Sequence, residues 1–159
     1  IYADNKNHPN IANSFINIGN IYENNFNDYQ KALEYYEKAY KIQKIAYQNN
    51  ENLDDIAITL SNIGEIYEKK REFQKALDYY NKSLEIERKV YQDDNHTNIA
   101  ISFNNIGNIH EILGDNEKAL DYYKNAYKIQ KTVFKNNNKT DIAITLSNIG
   151  NIYKKNGDY

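Results

Sequence analysis

Apolar residues recur along this 159-residue chain with the period of a helix, in segments separated by short polar stretches. Over residues 56–68, Ile56, Leu60, Ile63 and Tyr67 fall at i, i+4, i+7 and i+11, one face of a 3.6-residue turn. The spacing returns in Ile11, Phe15, Ile18 and Tyr22, in Ile99, Phe103, Ile106 and His110, and in Ile142, Leu146, Ile149 and Tyr153. A second kind of segment follows each of the first three. Ala76, Leu77, Tyr80, Ser83, Leu84 and Tyr91 form a broad stripe, widened by Ile86 and Val90. Its counterparts are Ala32, Leu33, Tyr36, Ala39, Tyr40 and Tyr47, then Ala119, Leu120, Tyr123, Ala126, Tyr127 and Phe134. Both kinds predict amphipathic helices. The Asn-rich stretches Gln48–Asn52 and Asn136–Lys139 predict loops.

The segments repeat as units. Gly19, Gly64, Gly107 and Gly150 occupy one register, with spacings of 45, 43 and 43 residues, and Ala32, Ala76 and Ala119 another. The first unit carries one extra residue between its two helices and one more in its long connection, and polar loops are expected to absorb both. A glycine in the middle of a helix costs about 1 kcal/mol relative to alanine. Its return at one register predicts a neighbouring helix too close for a β-carbon.

A period of 43 fits HEAT or armadillo units better than the shorter tetratricopeptide unit. The residues point elsewhere. Leu60, Ile63, Gly64, Tyr67, Ala76, Tyr80 and Ser83 stand in an order that resembles the tetratricopeptide repeat (TPR). The proline that closes that pattern is absent, and the second helix is predicted to run on by about two turns through Ile86, Val90 and Tyr91. This longer form is similar to the repeats of kinesin light chains, as are His8-Pro9 and the Leu-Ser-Asn-Ile-Gly and Phe-Asn-Asn-Ile-Gly runs ending at Gly64 and Gly107. His-Pro occurs once; the matching places hold Leu53-Asp54, His96-Thr97 and Lys139-Thr140. The resemblance spans essentially the whole chain. It implies an all-α right-handed solenoid of antiparallel helix pairs, with about three full repeats and a lone C-terminal helix. Residues 3–10 would end a preceding repeat, followed by repeats at 11–52, 53–97 and 98–140 and a partial one at 141–159. Ile1-Tyr2 aligns with Ala46-Tyr47 and Val90-Tyr91, and Asp158-Tyr159 with Glu72-Phe73, so an excerpt of a longer array is expected. The core face of the last helix would then lie uncovered and could drive self-association.

Composition narrows the chemistry. Lys and Arg number 20 and Asp and Glu 22, so the basic excess of a nucleic-acid binder is missing. There is no cysteine, and no apolar run nears the roughly 18 residues of a membrane span. No Gly-rich phosphate loop, Gly-x-Ser-x-Gly or His-Glu-x-x-His is present, so no catalysis, cofactor or metal is expected. His8 and His96 fall in predicted loops, and His110 takes a core-facing place held by tyrosine in the other units. Asp54-Asp55 and Asp93-Asp94 are also assigned to loops, as caps or solubilising charges. The 27 asparagines accompany many Tyr, Ile and Lys, the signature of A/T-rich codons, and with so many asparagines about one or two sequons arise by chance, so those at Asn81, Asn95 and Asn138 carry no weight. A cytoplasmic protein is expected.

The face opposite the core on the first helices is the informative one. At 100° per residue, offsets −6, −2, +1 and +5 from each glycine form one stripe. It holds Asn13, Asn17, Asn20 and Asn24, then Ile58, Asn62, Glu65 and Lys69, then Ile101, Asn105, Asn108 and Ile112, then Ile144, Asn148, Asn151 and Lys155. In TPR proteins the first helices line the concave groove, so the resemblance implies that this stripe meets a protein or peptide ligand, as an interaction scaffold does; the alternative is a self-assembling or sensor array that regulates an attached domain. An asparagine amide donates and accepts, and can pair with both groups of a peptide backbone. Two readings stand for each row: ligand contact, or bonds and packing between neighbouring helices. TPRs that clamp a C-terminal carboxylate place Lys or Arg three residues before the glycine, where this chain has Ile16, Ser61, Asn104 and Ser147. Glu23, Glu65, Glu68 and Glu111 border the stripe against Lys69, Lys154 and Lys155, so a neutral or mildly basic peptide is expected.

Overall fold

A computed structural model describes residues 8–47, 52–91, 95–133 and 139–157. These residues form seven α-helices and no strand. They are α1 (Pro9–Phe26), α2 (Tyr29–Ala46), α3 (Leu53–Lys69), α4 (Phe73–Tyr91), α5 (Thr97–Ile112), α6 (Asn116–Val133) and α7 (Lys139–Asn156). The chain divides into two compact units, Ile1–Ile86 and Glu87–Tyr159, with α4 beginning in the first and ending in the second. The long second helices expected from Ile86, Val90 and Tyr91 are present, α4 running through Tyr91. The expectations for Ile1-Tyr2, Asp93-Asp94, Phe134, Asn136–Asn138 and Asp158-Tyr159 lie outside the described residues.

Local chemistry sets the helix ends. The Nδ1 of His8 accepts from the Asn10 N–H at 3.2 Å, and that of His96 from the Asn98 N–H at 3.3 Å. The two histidines assigned to loops are therefore N-caps, with Pro9 filling the first turn after His8. Asp54 and Asp55 lie in the first turn of α3, not in a loop, where the helix dipole favours negative charge. Each first helix of the first three pairs closes on a left-handed residue: Asn27 (φ 52°), Arg71 (φ 61°) and Gly114 (φ 83°). The extra residue of the first unit does not enlarge its turn. It lengthens α1, which runs to Phe26 and leaves only Asn27 and Asp28 before α2.

Within each unit, consecutive helices pack antiparallel. A β-carbon on Gly19, Gly64 or Gly107 would stand 2.6, 2.8 or 2.8 Å from the ring of Tyr36, Tyr80 or Tyr123 on the paired helix. The three rings are almost wholly buried, so the expected close approach is a backbone-to-ring contact. Beside it, Tyr22 stacks on Tyr35, Tyr67 on Tyr79 and His110 on Tyr122, with centroids 5.4 to 5.5 Å apart.

First helices bury a second face that periodicity did not single out. Ile66 joins Ala32, Leu33 and Tyr36 of the preceding α2, and Ile152 joins Ala119 and Tyr123 of α6. Ile21, their equivalent on α1, is 49% exposed. The opposite face of α7 is also open: Leu146 is 46% exposed, whereas Leu60 in the same register is 1%.

The glycine contact gives a paired test by urea unfolding. Gly64→Ala is expected to lose about 2–3 kcal/mol, because overpacking against Tyr80 outweighs the gain in helix propensity. Gly150→Ala meets nothing within 4 Å and is expected to gain up to about 1 kcal/mol. Equal effects of one sign at both positions would refute the steric account.

Candidate functional site

The buried tyrosine of each pair carries its hydroxyl toward the candidate face, where it needs a partner. Glutamate four residues after the glycine supplies one. Tyr36 Oη donates to Glu23 Oε2 at 2.6 Å, Tyr80 to Glu68 Oε2 at 2.8 Å and Tyr123 to Glu111 Oε2 at 2.8 Å. The amides of Asn20 and Asn108 lie 2.6 and 2.8 Å from the same hydroxyls. A phenol has one proton, which this geometry shares between the glutamate carboxylate and the Oδ1 of Asn20 or Asn108. Burial, then the glutamate's hydrogen bond and charge, push the Tyr36 hydroxyl far above the ordinary phenol pKa. Burial first, then Glu68, does the same to Tyr80.

The glutamates also join neighbouring first helices. Lys69 of α3 bonds Glu23 of α1 at 2.6 Å and Glu65 at 2.9 Å. In the other unit Lys155 of α7 reaches Glu111 of α5. Burial opposes the charge of Lys69, but its bonds to Glu23 and Glu65 outweigh that, and its pKa rises. Glu23 is 5% exposed, so it is an internal anchor rather than a charge bordering the face. Glu68 has the Tyr80 bond, and burial leads its upward shift, with Glu65 adding to it and Lys69 opposing.

The remaining stripe residues divide into two sets. Asn20, Asn108 and Asn148 are half-buried and tied internally, with Asn148 Nδ2 donating to Asn108 Oδ1 at 3.4 Å across α7 and α5. Asn104 Nδ2 donates to Thr145 Oγ1 at 2.9 Å across the same pair of helices. By contrast, the side chains of Asn13, Asn17, Asn62, Asn105 and Asn151 have no hydrogen-bond partner among the described residues. Beside them stand Ile58, Ile101 and Ile144, 47, 47 and 54% exposed. Glu65 is exposed and paired with Lys69. Thus α1 and α3 in one unit, and α5 and α7 in the other, each present amides and isoleucine over a tied polar layer.

Sequence reasoning missed the Tyr-Glu-Lys chain. Its signal was available: glutamate at +4 in three units and lysine at +5 in two. Among the described residues there is no cluster of three or more His, Asp or Glu able to hold a metal ion, and no helix long and apolar enough to cross a membrane.

Removing the charge of each glutamate distinguishes their roles. Glu23→Gln, which weakens the bond to Lys69, is expected to cost about 1–2 kcal/mol. Glu68→Gln is expected to be neutral or to gain no more than about 1 kcal/mol at neutral pH. A raised folded-state pKa means that ionising Glu68 opposes folding as pH rises through it, so the variant's advantage should vanish below the ordinary glutamate range. Chemical denaturation at two pH values reads both effects, and a larger loss for Glu68→Gln would reverse the assignment.

Residues 12–45 and 55–132 match family profiles described as tetratricopeptide repeat. No curated protein matches the sequence. Among solved structures, BtubC (BKLC) from P. vanneervenii is 25% identical with a TM-score of 0.83, over 95% of this chain and 59% of that one. Nearly identical TPR-like repeats of kinesin-light-chain type from Podosopora anserina are 16% identical with a TM-score of 0.78, over 95% and 69%. The apo form of RapI is 21% identical with a TM-score of 0.82, over 99% and 40%. The chain thus spans about three-fifths of the BtubC chain and two-fifths of RapI. With its family matches, its all-α helix pairs and its long second helices, the chain belongs to the tetratricopeptide repeat family, in the kinesin-light-chain-like form of the TPR solenoid.

Proposed function

We propose that the first-helix faces bind an extended segment of a protein partner, making the chain an interaction scaffold rather than an enzyme, working in the cytoplasm. Repeats divided at 11–52, 53–97, 98–140 and 141–159 would each contribute one first helix to the face of their own unit. The observation that carries the reading is the set of unpartnered amides at Asn13, Asn17, Asn62, Asn105 and Asn151 beside exposed Ile58, Ile101 and Ile144. Amides of this kind suit a peptide backbone, and isoleucine suits its apolar side chains. Asn20, Asn108 and Asn148 would position the surface from beneath. Within the neutral-to-mildly-basic class, a neutral ligand is favoured, because Lys69 and Lys155 already offset Glu23, Glu65 and Glu111.

Peptide-library selection followed by calorimetry tests this. Asn62→Ala and Asn105→Ala are each expected to weaken a selected neutral peptide by about 3- to 10-fold. Undiminished affinity in both variants would exclude this face.

The open face of α7 supports a second reading, self-association, in which Leu146 and Tyr153 meet another copy. Solution mass should then rise with concentration and return to that of a monomer in Leu146→Glu. A constant monomer mass removes this reading.

A further inference from the structure

The second unit contains a recess that shares no residue with the candidate face. Its floor is Phe103 of α5 and Ile129 of α6, both almost fully buried. Around them stand Arg88 near the end of α4, Asn95 just before α5, and Asn125 and Lys128 of α6. The Arg88 guanidinium lies 5.5 Å from the centre of the Phe103 ring. The lining therefore combines an apolar floor, two cations and two amides, with no acid among the described residues, in a chain whose net charge is −2.

Size and chemistry together define an occupant. The recess holds about 150 Å³. That is room for about five waters, and well below the roughly 300–1,000 Å³ of small-molecule sites. One side chain or one chain end fits; a cofactor does not. A short apolar stem would lie on Phe103 and Ile129, and an anionic head would reach Arg88 and Lys128. A guanidinium has five donors, so a carboxylate can be added to contacts that Arg88 already makes. Lys128 has no ion-pair partner among the described residues. The combination is local to this place. In the preceding repeat the equivalents of Arg88, Phe103, Asn125, Lys128 and Ile129 are Lys44, Leu60, Lys82, Glu85 and Ile86, so an acid occupies the position of Lys128.

We propose that this recess between α4 and α6 binds a carboxylate carried by a protein partner, either an acidic side chain or a free chain end. It would act as a second contact point, independent of the first-helix face.

Three short peptides test it on the whole ¹⁵N-labelled chain: Ac-Leu-Glu-Leu-NH₂, its Gln analogue, and the Gln analogue with a free C-terminus. At least one carboxylate peptide is expected to bind at ~1 mM and to shift the side-chain amides of Asn95 and Asn125. The neutral analogue should bind about tenfold more weakly, and added salt should weaken the charged complex. Whichever carboxylate peptide wins identifies the source as side chain or chain end. Arg88→Gln and exposed Lys128→Gln should each cost about 3- to 10-fold. Equal binding of the neutral peptide overturns the proposal. So does undiminished binding to Lys128→Gln, absence of binding by both carboxylate peptides, or shifts confined to Asn62 and Asn105.

Discussion

The contact between a mid-helix glycine and a tyrosine ring governs the rest of this fold. A β-carbon on Gly19, Gly64 or Gly107 would sit inside the van der Waals surface of Tyr36, Tyr80 or Tyr123. Leaving it out lets the paired helices close until the ring is buried. A buried phenol must still satisfy its hydroxyl, and the glutamate one turn beyond the glycine does so. That carboxylate is in turn desolvated, and a lysine from the neighbouring first helix meets Glu23 in one unit and Glu111 in the other. One steric omission in the core thus extends, through three side chains, to the layer beneath the candidate face.

This chain of dependence also determines what the surface has left to offer. Acids that would have coloured the face electrostatically are bound to phenols and lysines below it. Beside the paired Glu65, Lys69 and Lys155, what the face has left unpaired is short amides and branched aliphatic groups. Asparagine has few rotamers to lose and both a donor and an acceptor to give. A surface of that composition discriminates by shape and hydrogen-bond register rather than by long-range attraction. The basic–aromatic recess beside Phe103 has the opposite character, and the two would answer different features of one partner.

Most of the architecture could be read from periodicity. Helix type and the extended second helices follow from stripes of apolar residues, the antiparallel pairing from the resemblance to TPR units, and the close approach from a costly residue returning at one register. The second buried face escaped because its members include Thr59, Ser102 and Thr145, which look like surface residues. Their burial is permitted by local bonds: Thr59 Oγ1 donates to Asp55 O at 2.9 Å and Thr145 Oγ1 to Asp141 O at 3.1 Å. Gln43 escaped for the same reason. It is fully buried, with Nε2 donating to Asp55 O at 3.2 Å. Glu23 was misplaced as a rim charge because helical projection gives direction but not depth. His8 and His96 could have been found, since each directly precedes a helix and offers a short-range acceptor, although imidazole is not an ordinary cap. The candidate face was located by projection, but which amides are tied and which are open depends on neighbours distant in sequence.

A repeated fold places its recognition where the repeats differ. Glycine, tyrosine and the small alanines recur because each pair needs the same closure, so they cannot distinguish one partner from another. The variable registers can. Five residues after the glycine stand Asn24, Lys69, Ile112 and Lys155, and nine after the small alanine stand Lys41, Glu85 and Lys128. At the first register, lysine closes an ion pair onto the preceding first helix, whereas isoleucine in the same place leaves half of its apolar side chain in solvent. At the second, lysine contributes to an anion-friendly recess where the preceding repeat carries a carboxylate. Each change alters surface chemistry without touching the glycine–tyrosine contact, so the scaffold can tolerate it at little cost in stability. Differences that the fold does not require, set on a frame that it does, are where selection for a particular partner can act.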